Sequence, residues 1–325
     1  MPKINAVKKF FNFIRSDLNL VSTRNSLENR PEYKMFIRTA LAWGGSATPI
    51  VLPRVIIAAF YCILVLCVEK VFPFLSLQLE PFEYSGAALG LLLVLRVNAG
   101  IDRWWEARKI WGTIVNQSRN LALVGFGYAE KPGATVDEFL KWVAIWPYVM
   151  KQSLREQKDL LPVAKIIGEE WTSKIRQAQH MPFYVGFKIT QLLKKLRSEG
   201  LDSFAFQRAE TERSILIDAI GACERIKNTR MPLALAIITR RFIFLFLTLL
   251  PFALGAKLSW IAPFVVALVA YPMFSLDEIG AELQNPFSQS NLNHLPLDSI
   301  CSTIALNVLS LTFENPGINS NIDAV

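Results

Sequence analysis

Histidine is almost missing from this 325-residue chain, which holds only His180 and His294. Neither belongs to an HxxxH or CxxC pattern, so the usual ligand sets for a metal or a haem are not in place. There is no GxSxG elbow, no P-loop and no GxGxxG run, which removes the common signatures of acyl transfer, nucleotide hydrolysis and dinucleotide binding. Asp102 and Glu106 form a carboxylate pair four residues apart, but Arg103, Arg108 and Lys109 surround them, and that favours a salt-bridged structural helix over acid/base work. An enzyme is the weaker class, and neither a catalytic residue nor a cofactor is expected. The four cysteines supply no disulfide framework: Cys62 and Cys67 lie in one apolar run, while Cys223 and Cys301 stand alone, so reduced thiols are expected. Alternating strand patterns of useful length are lacking too. Met1 to Leu20 has no uninterrupted apolar core, so no cleavable signal peptide is expected.

What is abundant is apolar sequence. Hydrophobic residues reach 52% and mean hydropathy is +0.31, yet charged residues still make up 19%, too many for a chain buried wholly in lipid. Part membrane and part aqueous domain is the expected division. Four runs supply the membrane part: Pro53 to Val68, Tyr84 to Val97, Phe242 to Leu254 and Leu258 to Phe274. Each is short, since Tyr84 to Asn98 spans only about 22 Å against ~30 Å of hydrocarbon. Flanking polar residues can finish the crossing inside a bundle, where they face other helices or water. A soluble protein with four buried core helices is the rival reading.

Basic residues set the expected orientation. Lys3, Lys8, Lys9, Arg15, Arg24, Arg30, Lys34 and Arg38 precede the first run, whereas Glu69 to Glu83 carries Lys70 alone, so both termini belong in the cytoplasm. Arg103, Arg108, Lys109, Arg225, Lys227 and Arg230 place the middle of the chain on the same side. That middle reads as helical, with apolar residues three and four apart over Val136 to Leu154, Val163 to Gln179, Pro182 to Arg197 and Asp202 to Ile226. Gly200 ends one helix, and Asp202 or Ser203 caps the next. Lys194, Lys195 and Arg197 form the densest basic cluster, but no aromatic or RNA-binding motif surrounds them, so a solvated face is expected and no nucleic acid.

The stretch Tyr84 to Arg119 passes from an apolar run into a charged, tryptophan-rich helix without a Gly-Pro break. Gly86 and Gly90 have the spacing that lets membrane helices approach closely. Ala87, Leu91 and Leu95 form one apolar stripe, although Ala88 and Leu92 lie in an equally apolar one, because every face of the segment is apolar. Tyr84 to Leu95 holds no ionisable group except the tyrosine hydroxyl, so a pore lined by it would gate by dewetting and select weakly. Arg96 at its end either raises local anion concentration or pairs with a carboxylate or lipid phosphate. Trp104 and Trp105 are expected as interfacial anchors. Arg240 and Arg241 would cost about 2.5–3.5 kcal/mol each at the bilayer centre, so they mark the cytoplasmic edge of the third span.

LRVNAGIDRWWEARKIWG with VNQSRNLA, then GACERIKNTRMPLAL, then YPMFSLDEIGAELQNPFSQSNLNHLPLDSI together resemble the bestrophin family, and the last block its bacterial branch. The resemblance implies an all-α membrane protein with four transmembrane helices per subunit plus a helical cytosolic domain, assembled as a pentameric channel in a lipid membrane. On that template residues 1–48 form a cytosolic N-terminal segment, 49–98 the first two spans, 99–230 the helical cytosolic domain, 231–274 the last two spans and 275–325 a cytosolic C-terminal segment. The family's narrow neck falls on Ala87, Leu91 and Leu95. Leucine at the last position, often a bulkier aromatic in the family, and alanine at the first imply a wider neck here. The family's cytosolic aperture falls on Val185 or Ile189. Arg96 and Arg103 are candidates for anion attraction or for structure. Animal members clasp calcium with acidic residues just after NPF; this chain has no acid between Pro286 and Asp298, so calcium gating is not expected. The cargo implied is small inorganic ions, with chloride and other anions preferred. A sodium channel of the same fold and a non-conducting membrane scaffold are the alternatives. The expected place is the cell membrane or an internal membrane such as the thylakoid.

Overall fold

The computed structural model describes residues 40–43, 45–130, 133–229 and 231–312. The basic residues Lys3 to Arg38 and Arg230, on which the orientation partly rests, lie outside the described residues. Among the described residues all regular structure is helical, with ten α-helices and two short 3-10 turns. The chain divides into two compact units, one of residues Met35–Glu106 and Thr229–His294, the other of Met1–Lys34, Ala107–Asn228 and Leu295–Val325.

The first unit contains α1 (Thr48–Val71), the beginning of α2 (Glu80–Gly127), α8 (Leu233–Leu258) and α9 (Ala262–Glu282). Each is a helix long and apolar enough to cross a membrane, by length and composition. α1 and α9 carry proline in their first turn, where the missing N–H has no intrahelical partner anyway. Glu80 and Glu83 occupy the first turn of α2, where acidic side chains complement the helix dipole. α2 runs 48 residues without interruption, about 72 Å at 1.5 Å per residue, more than twice the hydrocarbon thickness. The apolar run and the charged helix are thus one rod, as the sequence suggested. Val55, Cys62, Leu89, Leu93, Phe246 and Val266 belong to the core the four helices share. Gly86 admits the Phe246 ring, which a β-carbon would meet at 3.4 Å, but Gly90 has nothing within 4 Å. A closer approach lies elsewhere: a β-carbon on Gly100 would come 2.9 Å from Leu283 Cβ.

The second unit is built around α3 (Ala134–Leu154), with α4 (Leu161–Ile167), α5 (Glu169–Gln177), α6 (Met181–Ser198), α7 (Ser203–Asn228), α10 (Leu297–Ser310) and the rest of α2. α3 is buried on nearly every face, and Trp146 at its centre donates from Nε1 to Pro182 O at 2.9 Å. The stretch expected as one helix from Val163 to Gln179 is two, because Gly168 takes φ +87° and breaks it. Gly200 turns the chain with φ +109°, and Asp202 Oδ2 accepts from Phe204 N and Ala205 N to cap α7. The expected segment 275–325 divides: residues up to His294 belong with the apolar helices, and Leu295 to Thr312, the last described residues, belong with the helical unit.

Candidate functional site

α2 has two contrasting faces within its apolar half. Leu89, Leu93 and Arg96 point inward with 0%, 1% and 2% exposure, while Ala87, Leu91 and Leu95 point out, the leucines 63% and 55% exposed. The four-residue spacing puts the last three on one line, which continues through exposed Asn98 and Asp102 to Trp105. The outward line carries no ionisable side chain from Ala87 to Leu95.

Arg96 is buried and ion-paired. Its Nη1 lies 2.9 Å from Asp277 Oδ1 and donates to Ala236 O at 3.3 Å, and Asp277 Oδ2 also accepts from Arg240 Nε at 3.0 Å. One carboxylate on α9 therefore ties α2 and α8 together, and Arg240 finds its partner there. Nearby, Arg54 Nη1 meets Glu278 Oε2 at 2.8 Å. Arg103 also serves structure, donating from Nε to Gln284 O at 2.7 Å. Trp104 donates from Nε1 to Asn293 O at 2.8 Å, while Trp105 stays half-exposed beside it, the two rings edge to face at 5.2 Å.

The loop after α9 closes on itself. Asn291 Nδ2 donates to Glu282 O at 2.8 Å and Asn285 O at 2.9 Å, Asn285 Oδ1 accepts from Phe287 N, and Phe287 is fully buried. One side-chain amide thus ties the end of α9 to the loop that follows it. Asp298 is engaged as well, with Lys151 Nζ at 2.7 Å and Arg155 Nη1 at 2.9 Å. Burial raises the Asp298 pKa, but the two cations outweigh it and hold the carboxyl below its usual range. Among the described residues no group of three or more His, Cys, Asp and Glu comes together. His180 Nε2 lies 2.8 Å from Glu224 Oε1 and His294 Nδ1 lies 2.7 Å from Asn291 O. Burial pushes the Cys301 thiol up to about 12, an unreactive neutral group.

Val185 and Ile189 require a correction as aperture candidates. Both are 0% exposed within one protomer, packed in the core of the helical unit, so neither reaches a surface that borders a passage. The large apolar side chains that α6 does expose are Phe183 and Phe187, one turn apart, and α7 exposes Phe204 at its start. Sequence reasoning also missed Asp277, Gly100 and Gly280. The available signal was an acidic residue just past the aromatic end of the last apolar run.

Four apolar helices, a buried charge cluster joining three of them and a water-compatible helical unit define a multi-pass, all-helical integral membrane protein. The chain belongs to the bacterial and fungal bestrophin family, whose profile matches residues 25–310. It is 33% identical over 277 residues to a voltage-dependent anion channel-forming protein of Synechocystis, covering 83% of this chain and 90% of that one. A voltage-dependent anion channel-forming protein of Nostoc is 32% identical over 293 residues, covering 89% and 95%. Among solved structures, a crystal structure of a bacterial bestrophin homologue from Klebsiella pneumoniae matches with TM-score 0.75 at 27% identity, over 82% of this chain and 100% of that one.

Proposed function

We propose that this protein conducts small monovalent anions, chloride among them, through a central pore formed by five copies of the chain. The observation that carries the reading is the outward apolar line Ala87, Leu91 and Leu95, set back to back with a face held by Leu89, Leu93 and the Arg96–Asp277 pair. Five copies of α2 around one axis bring that line together as a neck without fixed charge, a constriction that gates by dewetting. The names of the relatives in Synechocystis and Nostoc, both anion channel-forming, support the choice of anions. The net charge of +8 favours anion accumulation in the same direction. Arg96 contributes position rather than field, because its charge is spent on Asp277.

The Lys and Arg distribution supports cytoplasmic termini in a cell membrane. No bound calcium is part of the reading, and neither is an enzymatic step. Reversal potentials of the purified protein in planar bilayers under asymmetric sodium chloride test it. A reversal potential near that of chloride, unmoved when sodium is replaced by a large cation, is expected. Reversal near the sodium potential would assign a cation channel of the same fold, and absence of current from a closed ring would assign a scaffold.

A further inference from the structure

The apolar unit has a cleft of about 650 Å³ between α1, α8 and α9. Its walls are Ile57, Phe244, Leu247 and Phe274, and its one polar end holds Arg54 and Arg240 with Asp277. Ile57 and Phe244 are 68% and 69% exposed, so the cleft opens outward instead of closing into a core. Tyr61 donates to Thr248 O at 3.3 Å at the far end. From Arg54 to Tyr61 is about 11 Å of helix, most of the ~15 Å depth of one hydrocarbon leaflet.

The charge at the polar end does not cancel. Arg96 and Arg240 share the single carboxylate of Asp277 while Arg54 meets Glu278, so among these five groups guanidiniums outnumber carboxylates three to two. Arg54 and Arg240 are the accessible members, with side chains 45% and 58% exposed. A guanidinium offers five N–H donors in a planar fork, so one carboxylate leaves donors for a second anion, and phosphate suits that geometry. An apolar slot of leaflet depth with a phosphate-binding end has the shape of one lipid molecule.

We propose that this cleft holds one anionic phospholipid per protomer, its phosphate on Arg54 and Arg240 and an acyl chain along Ile57, Phe244 and Leu247. The lipid covers apolar surface that the protomer leaves open and completes the ion pairs at its edge. Nothing in this inference depends on conduction, and its readout is bound lipid.

Native mass spectrometry of the detergent-purified protein after exchange with phosphatidylglycerol, phosphatidylcholine or inorganic phosphate alone provides the test. Phosphatidylglycerol should remain at one per protomer, phosphatidylcholine should bind about tenfold more weakly, and phosphate alone should not be retained. Arg54→Gln should lower phosphatidylglycerol retention about tenfold, the loss of one charge-assisted hydrogen bond. Ala58→Phe, which fills the cleft and leaves every charge in place, should lower it too while the assembly elutes unchanged. Equal retention of the two lipids, or full retention by both variants, overturns the proposal. So does Ala58→Phe breaking the assembly without altering lipid count, which would make the cleft a contact between subunits.

Discussion

Asp277→Asn should be among the most destabilising single changes available in the apolar unit. Asp277 is 4% exposed, and its carboxylate is ion-paired with Arg96 at 2.9 Å and accepts from Arg240 at 3.0 Å. Removing its charge leaves Arg96 buried and cationic, and breaking a buried ion pair from one side costs about 3–5 kcal/mol. At about 2–4 °C per kcal/mol for a unit of this size, the thermal midpoint should fall roughly 6–20 °C. Arg240→Gln breaks the other half of the cluster, but its side chain is 58% exposed, so the cost should stay under about 1 kcal/mol. Replacing both buried partners, as Arg96→Met with Asp277→Leu, removes the stranded charge and should recover most of the loss. The assay is the midpoint for heat-induced loss of the monodisperse chromatographic peak in detergent. Because Arg96 follows Leu95 on α2, Asp277→Asn should also alter single-channel current. If Asp277→Asn and Arg240→Gln shift the midpoint equally, the buried-charge reasoning is wrong.

Three further outcomes follow from the same geometry. Leu91→Ala should widen the neck and raise unitary conductance, whereas Leu95→Phe should narrow it and lower conductance; unchanged currents in both would remove these residues from the pore. The Asp298 carboxyl is held below its usual range by Lys151 and Arg155, so its stabilisation is present above the ordinary carboxylate pKa and lost as pH falls through the depressed one. The midpoint difference between the wild type and Asp298→Asn should accordingly be full at neutral pH and vanish in strong acid, and a gap that widens on acidification would reverse the assignment. Open probability should stay flat across a micromolar calcium titration, since no acidic residue lies between Pro286 and Asp298; steep activation would show that the loop binds the ion in another way.

Much of the architecture was legible from local pattern. The four apolar runs, the unbroken passage from Tyr84 into the tryptophan-rich helix, and the Gly200–Asp202 turn follow from hydropathy, the absence of proline and cap chemistry, each readable within a few residues. Helix ends extended beyond the apolar runs because hydropathy marks lipid contact, not the limit of hydrogen bonding: α8 starts at Leu233, nine residues before the expected Phe242. The break at Gly168 escaped because an apolar period of three and four runs through a glycine that the backbone uses at positive φ. Gly86 and Gly90 looked equivalent by spacing, yet only Gly86 meets a partner, since close approach depends on where the Phe246 ring lies. The Val185 and Ile189 candidates failed for a related reason. Placement along a helix specifies depth, and both side chains rotate into the core.

The order of residues alone settled that this chain is helical, crosses a membrane and carries a charge-free stretch at the entrance to α2, because helix period, span length and charge are properties of neighbours in the chain. Which side of that stretch is free was beyond it. Tyr84 to Leu95 is apolar on every side, so periodicity has no contrast there, and it is packing into the apolar core that buries Leu89 and Leu93 and leaves Leu91 and Leu95 exposed. The same holds for Arg96. Sequence alone left it open between anion attraction and pairing with a carboxylate, and folding brings Asp277, far away in sequence, to 2.9 Å from its guanidinium.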